Sequence, residues 1–128
     1  MIVVDTDVLI DALRGREPVA GWVANQLPSG SLATTAVSAF ELLSGARTTD
    51  AARTVAELLA AIAILDFDEP AARSAAEARR KLEESGTPIG MADYLIAGIC
   101  LSRGIPLATR NRVHFDRVEG LSVLNPTP

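Results

Sequence analysis

The sequence predicts an α/β protein: a central, mostly parallel sheet of about five short strands with helices on both faces. Two observations carry this prediction. Short apolar runs at 2–5, 32–35, 64–67, 106–109 and 121–124 alternate with longer segments of helical periodicity. Strands separated by helices favour parallel pairing, because a parallel neighbour is reached by a crossover rather than a tight turn. Composition agrees: 48% of residues are hydrophobic but only 4% aromatic, which suits small and aliphatic side chains packed between helices and a sheet. A chain of 128 residues forms one domain, 1–128, with a real core.

Each element follows from its residues. IVVD at 2–5 reads as a buried strand, and Val8, Leu9, Ala12 and Leu13 mark a short helix ended by Gly15. Residues 17–27 form a second helix with Trp22, Val23 and Leu27 inward. After the PSGS turn, LATT at 32–35 is a strand and VSAFELLSGA at 37–46 a helix closed by its glycine. Residues 50–61 are helical, and ILDF at 64–67 is the third strand. A long helix follows at 68–86 with Pro70 in its first turn, where proline is tolerated. A helix from about 90 to 103 ends at Gly104, PLAT at 106–109 is the fourth strand, RNRVHFDRVEG is irregular, and LSVL at 121–124 is the last strand. No repeat or linker interrupts the pattern.

Several function classes are excluded or weakened. The lone Cys100 rules out a disulfide framework and a cysteine zinc cluster, and on an apolar helix it reads as an inert small residue. The longest apolar run, LLAAIAIL at 58–65, is too short to span a bilayer, and no basic region precedes the first apolar residues, so a cytoplasmic protein without a membrane role is expected. A formal net charge of −4 argues against a general nucleic-acid binder. Local arginines still flank the acids: Arg14, Arg16, Arg47, Arg110, Arg112 and Arg117. Their forks suit phosphate, though a solvated charged surface accounts for them equally well.

Acids fall at strand ends. Asp5 closes the first strand, Glu41 lies in about the first turn of the helix after the second, and Asp93 lies in the first turn of GMADYLIAGICL. Asp116 follows the fourth strand by a short loop that also carries Asn111. In a parallel sheet these carboxylates converge on the edge where ligands gather. Blander accounts exist: Asp5 and Asp7 can start a helix, Ser38 and Glu41 fit an S-x-x-E capping box, and Asp116 and His114 can be ordinary loop or core residues. Asp93 resists such an account, because its helix is apolar nearly all round and a buried carboxylate needs a partner. Hard oxygen ligands without His or Cys select Mg²⁺ or Mn²⁺, ions suited to phosphodiester displacement.

VVDTDVLIDAL, SAFELLSGA, PIGMADYLIAGIC and TRNRVHFDRVEGL, in this order and spacing, resemble the PIN-domain ribonucleases, specifically the VapC toxins of VapBC toxin–antitoxin modules. The resemblance runs from residue 2 to about 124 and implies a three-layer fold. It makes Asp5, Glu41 and Asp93 an acidic triad for a divalent cation and Asp116 a further acidic position. Thr6, Asp7 and Asn111 become auxiliary residues, and Asp7 departs from the Asn, Ser or Thr usual in the family. Arg14, Arg16, Arg110 and Arg112 become candidates for contact with RNA phosphates. The family further implies cleavage of transfer or ribosomal RNA, a homodimer, and neutralisation by a VapB-type antitoxin. An antitoxin arginine would enter the carboxylate cluster while an apolar segment covered helices 8–14 and 37–46.

Two rivals share the opening motif. A haloacid-dehalogenase phosphatase would use Asp5 as nucleophile and Asp7 as acid/base, but needs a phosphate-binding lysine, and the sole lysine is Lys81 in the long helix. A receiver-like signalling domain would need a phosphoacceptor at the end of the third strand, a part open to Asp66, and a late lysine that the sequence does not supply.

Overall fold

The computed structural model describes residues 1–127. Strand β1 (Ile2–Val4) leads into helix α1 (Thr6–Leu13), and α2 (Val19–Gln26) runs on into a 3-10 turn at Leu27–Ser29. Then follow β2 (Leu32–Thr35), α3 (Ala36–Gly45), α4 (Thr49–Ala60), β3 (Ala63–Leu65) and the long α5 (Glu69–Glu84). The chain closes with α6 (Met91–Arg103), β4 (Leu107–Ala108), a short α7 (Arg112–Phe115) and β5 (Val123–Leu124).

Caps explain most boundaries. Asp5 is not the last strand residue but the N-cap of α1, its carboxylate accepting the Thr6 N–H, so the helix starts two residues before its apolar periodicity. Thr35 caps α3 by accepting the Ser38 N–H. Ser38 is therefore already inside the helix, the alternative account of Ser38 and Glu41 as a capping box falls, and Glu41 lies in the second turn rather than the first. Asp68 caps α5 through Ala71 N–H with Pro70 in the first turn, and Gly104, at φ 65°, ends α6. Gly45 is the last helical residue of α3 rather than its stop, and Ala46 caps it. The segment expected to be irregular contains α7, whose four residues are too few to show a helical period.

The strands form one sheet in the order β3-β2-β1-β4-β5, and all of its pairings are parallel, where the sequence suggested only a mostly parallel sheet. Alternation along strands divides the core. Val3 and Leu107 face one side, against Leu82, Tyr94, Ile96, Cys100 and Phe115 of α5, α6 and α7. Val4 and Ala108 face the other, against Val8, Leu9, Val19, Val23, Leu42 and Val55 of α1 to α4. Three layers result. From β1 the chain first builds outward through β2 and β3, then returns to add β4 and β5 on the opposite flank. The reversal leaves a crevice at the carboxyl ends of β1 and β4. A receiver-like arrangement is overturned by the same order, since β3 and the Asp66 after it sit on the outer edge, beside β2 rather than β1.

Small residues bring α5 and α6 together. Ala71, Ala75 and Ala78 are buried on α5, and a Cβ on Gly98 of α6 would stand 2.7 Å from Ala75 Cβ and closer still to the Ala71 carbonyl oxygen. Gly98→Ala is therefore expected to lower stability by about 1–3 kcal/mol through overpacking. Gly45→Ala, a helical site with nothing within 4 Å, is expected to be neutral or slightly stabilising. Urea unfolding of the two variants beside the parent checks the contrast.

Candidate active site

The crevice is built around Asp5. Its carboxylate is 6% exposed, with Oδ1 accepting the Thr6 N–H at 2.8 Å and Oδ2 accepting the Thr109 hydroxyl at 2.7 Å. Burial, foremost, and then the neighbouring Asp7 push its pKa up to about 7, against the two hydrogen bonds that favour the charged form; Asp93 pushes the same way.

Helix α3 brings Glu41 to the opening of α1. Thr6 Oγ1 donates to Glu41 Oε1 at 2.8 Å and stands 2.9 Å from Ser38 Oγ. From the other side, α6 presents Asp93 in its first turn, 3.1 Å from Nδ1 of His114. A carboxylate only accepts, so Nδ1 carries the proton in that contact. Asn111 Nδ2, itself a donor, lies 3.0 Å from the same nitrogen and bonds it only in the other tautomer, so the imidazole faces Asp93 and Asn111 in turn. Asp7 is anchored through Oδ2, which accepts the Arg110 N–H at 3.1 Å, while its Oδ1 is buried with no hydrogen-bond partner. Burial, above all, raises the Asp7 pKa as well.

Asp116 stands apart. It caps the end of α7, its side chain is half-exposed, and it pairs with Arg112 at 3.5 Å; it makes no hydrogen bond to Asp5, Glu41 or Asp93 among the described residues. The arginines also differ from one another. Arg110 and Arg16 turn toward the buried Asp11, and Arg112 reaches both Asp116 and Asn125 Oδ1. Arg14 is exposed beside Glu41 at a groove between α1, α3 and α4. Lys81 pairs with Glu77 and Glu119 on the surface and makes no contact with Asp5, which removes the phosphatase alternative. Cys100 is buried with its thiol pushed up to about 12 by desolvation, as an inert residue should be.

Three participants escaped sequence reading. His114 reads in the sequence as a loop or core residue, yet it holds Asp93. Thr109 and Ser38 carried no acidic or metal-binding signal at all. Only the position of Thr109 at the end of an apolar strand, opposite Asp5, hints at its part.

The donor set fits a hard divalent cation. No Lys or Arg side chain among the described residues forms an ion pair with Asp5, Glu41 or Asp93, and one buried Asp7 oxygen lacks a partner. As the side chains stand, no three Asp, Glu, His or Cys groups among the described residues gather closely enough to enclose an ion. Mg²⁺ does not require that: it takes one or two carboxylates and keeps several waters.

Known proteins resemble this chain in sequence and in fold. The PIN domain family model matches residues 2–121. Ribonuclease VapC10 of Mycobacterium tuberculosis is 40% identical over 121 residues, covering 94% of this chain and 90% of that protein. The tRNA(fMet)-specific endonuclease VapC of Shigella flexneri is 30% identical over 121 residues, with 91% of each covered. In structure, VapBC2 from Rickettsia felis, bound to a DNA fragment from its promoter, matches with a TM-score of 0.88 at 23% identity over 98% of both chains, a likeness of fold. FitAcB from Neisseria gonorrhoeae matches with a TM-score of 0.84 at 28% identity, again over 98% of both chains.

The raised Asp5 pKa fixes a pH dependence. Unfolded, the group titrates near 3.8; folded, near 7, so between those values only the folded state holds the proton. Stability of the metal-free protein therefore falls as pH rises from about 4 to about 7. Asp5→Asn removes this loss: at pH 7.5, without metal, its thermal midpoint should exceed wild type by more than about 5 °C, and near pH 4 the two should converge. A wild-type midpoint that stays level across this range would contradict the buried, uncompensated carboxylate.

Proposed function

This chain belongs to the PIN-domain family and is a ribonuclease of the VapC toxin kind, and on that premise we propose that it hydrolyses RNA phosphodiester bonds with Mg²⁺ or Mn²⁺ held by Asp5, Glu41 and Asp93. The observation that carries the metal reading is Asp5: a carboxylate buried at the end of the central strand, beside further acids and without a cationic partner. When bound, the divalent ion supplies positive charge at the scissile phosphate and makes its associated water more acidic.

The protein's own groups do the positioning. Thr6 N–H and the Thr109 hydroxyl each take one lone pair of Asp5 and leave the others free for a cation. The Thr6 hydroxyl orients Glu41, and His114 orients Asp93, so each acid arrives with its rotamer fixed. Asp7 adds negative charge next to Asp5 and strengthens the hold on the cation. Asp116, outside this group, acts from the rim by pairing with Arg112 and so holding that guanidinium in place. Arg14, Arg16 and Arg112 offer phosphate contacts around the mouth.

We place the substrate in the transfer or ribosomal RNA class, a choice supported by the transfer-RNA endonuclease among the relatives. Work on such RNA puts the protein in the cytoplasm; no helix among the described residues is long and apolar enough to cross a membrane. A solved neighbour at 26% identity over 98% of both chains is VapBC-1 of nontypeable Haemophilus influenzae, which supports a VapB-type antitoxin as partner; the toxin itself we take as a homodimer. The antitoxin segment would lie in the groove of about 310 Å³ lined by Ile10, Leu13, Leu42 and Val55, next to Arg14 and Glu41, with exposed Phe40 and Leu43 extending the apolar face.

Glu41→Gln and Asp93→Asn should each reduce RNA cleavage to background while preserving the fold, and chelation should do the same to wild type. Asp7→Asn should keep cleavage but bind Mn²⁺ about 10- to 100-fold more weakly by calorimetry. Normal cleavage by Asp93→Asn would refute the metal site.

A further inference from the structure

We propose that the Asp11–Arg110 ion pair is the positioning clamp of this active site, with Arg110 acting through the loop it fixes rather than on RNA phosphate. The inference deepens the nuclease reading and rests on it.

Asp11 is one helical turn beyond Asp7 on α1 and is only 4% exposed, a rare state for a carboxylate. Both of its oxygens are engaged. Arg110 Nε lies 2.6 Å from Oδ2 and Nη2 3.4 Å from Oδ1, while Arg16 Nη1 adds a longer contact to Oδ1 at 3.4 Å. The main-chain N–H of Arg110 meanwhile donates to Asp7. Arg110 is thus tied to one face of α1 at both its backbone and its guanidinium, by carboxylates spaced i, i+4.

The residues on either side of Arg110 serve the two central acids. Thr109 donates its hydroxyl to Asp5, and the same oxygen accepts the Asn111 N–H at 3.0 Å, locking the loop upon itself. Asn111 neighbours the His114 nitrogen that donates to Asp93. The register of this single loop against α1 therefore sets a hydrogen-bond partner of Asp5 and the surroundings of the partner of Asp93. Two-point docking needs a fork, which a lysine point charge cannot reproduce. An arginine engaged this way has little of its fork left for phosphate.

The test uses Arg110→Lys, Arg110→Ala, Asp11→Asn and the Asp11→Asn/Arg110→Lys double variant of the full chain. A clamp predicts that Arg110→Lys and Asp11→Asn each lower kcat about 10- to 100-fold, with a comparable loss of Mn²⁺ affinity by calorimetry. The double variant should be little worse than either single one, because the same interaction is removed. KM should hold, and the salt dependence of RNA binding, measured in Ca²⁺, should stay parallel to wild type. Arg110→Lys with wild-type kcat and Mn²⁺ affinity would overturn the proposal. So would a salt slope shallower by about one unit in Arg110→Ala, the mark of a lost phosphate contact. Should wild type cleave no RNA, the nuclease reading fails by itself, and the Mn²⁺ affinities of the variants still decide the clamp.

Discussion

Everything at this site depends on keeping the Asp5 carboxylate out of water at the end of the central strand. Burial of a charge is expensive, and two hydrogen bonds from Thr6 and Thr109 only partly offset it, as the upward shift of its pKa to about 7 records. Asp5 is also the N-cap of α1, so the group that strains the apo protein starts the first helix. The divalent cation proposed for this site would relieve that repulsion.

The sheet makes this arrangement possible. Parallel pairing of β1 with β2 and β4 sends three chain segments out at one edge, and each leaves with a polar residue in place: Asp5, Thr35 and Thr109. Helices α3 and α6, packed on opposite faces, then deliver Glu41 and Asp93 from either side. The two apolar clusters hold the helices rigidly enough for single hydrogen bonds to choose side-chain directions. Chemistry sits on the loops and first turns, and stability sits in the layers below.

A second tier of polar contacts separates residues that look alike in the sequence. Arg110 and Arg16 face a buried carboxylate, whereas Arg14 is open to solvent and Arg112 bridges Asp116 and Asn125. Nearness to the acids along the chain made all four look equivalent. Their directions are decided by partners on other elements.

Sequence by itself determined the α/β class, the order of the main strands and helices, and the positions of Asp5 just after the first strand and Asp93 in the first turn of its helix, because periodicity and caps are local properties that short windows of residues carry. It missed α7, which is shorter than any detectable period, and it left a Ser38–Glu41 cap open as an alternative, whereas Thr35 caps the helix one turn earlier. Tertiary structure alone decided that His114 meets Asp93, that Thr6 meets Glu41 and that Arg110 meets Asp11. Those pairs are 21, 35 and 99 residues apart, and their contact exists only once the parallel crossovers have been closed and the helices packed.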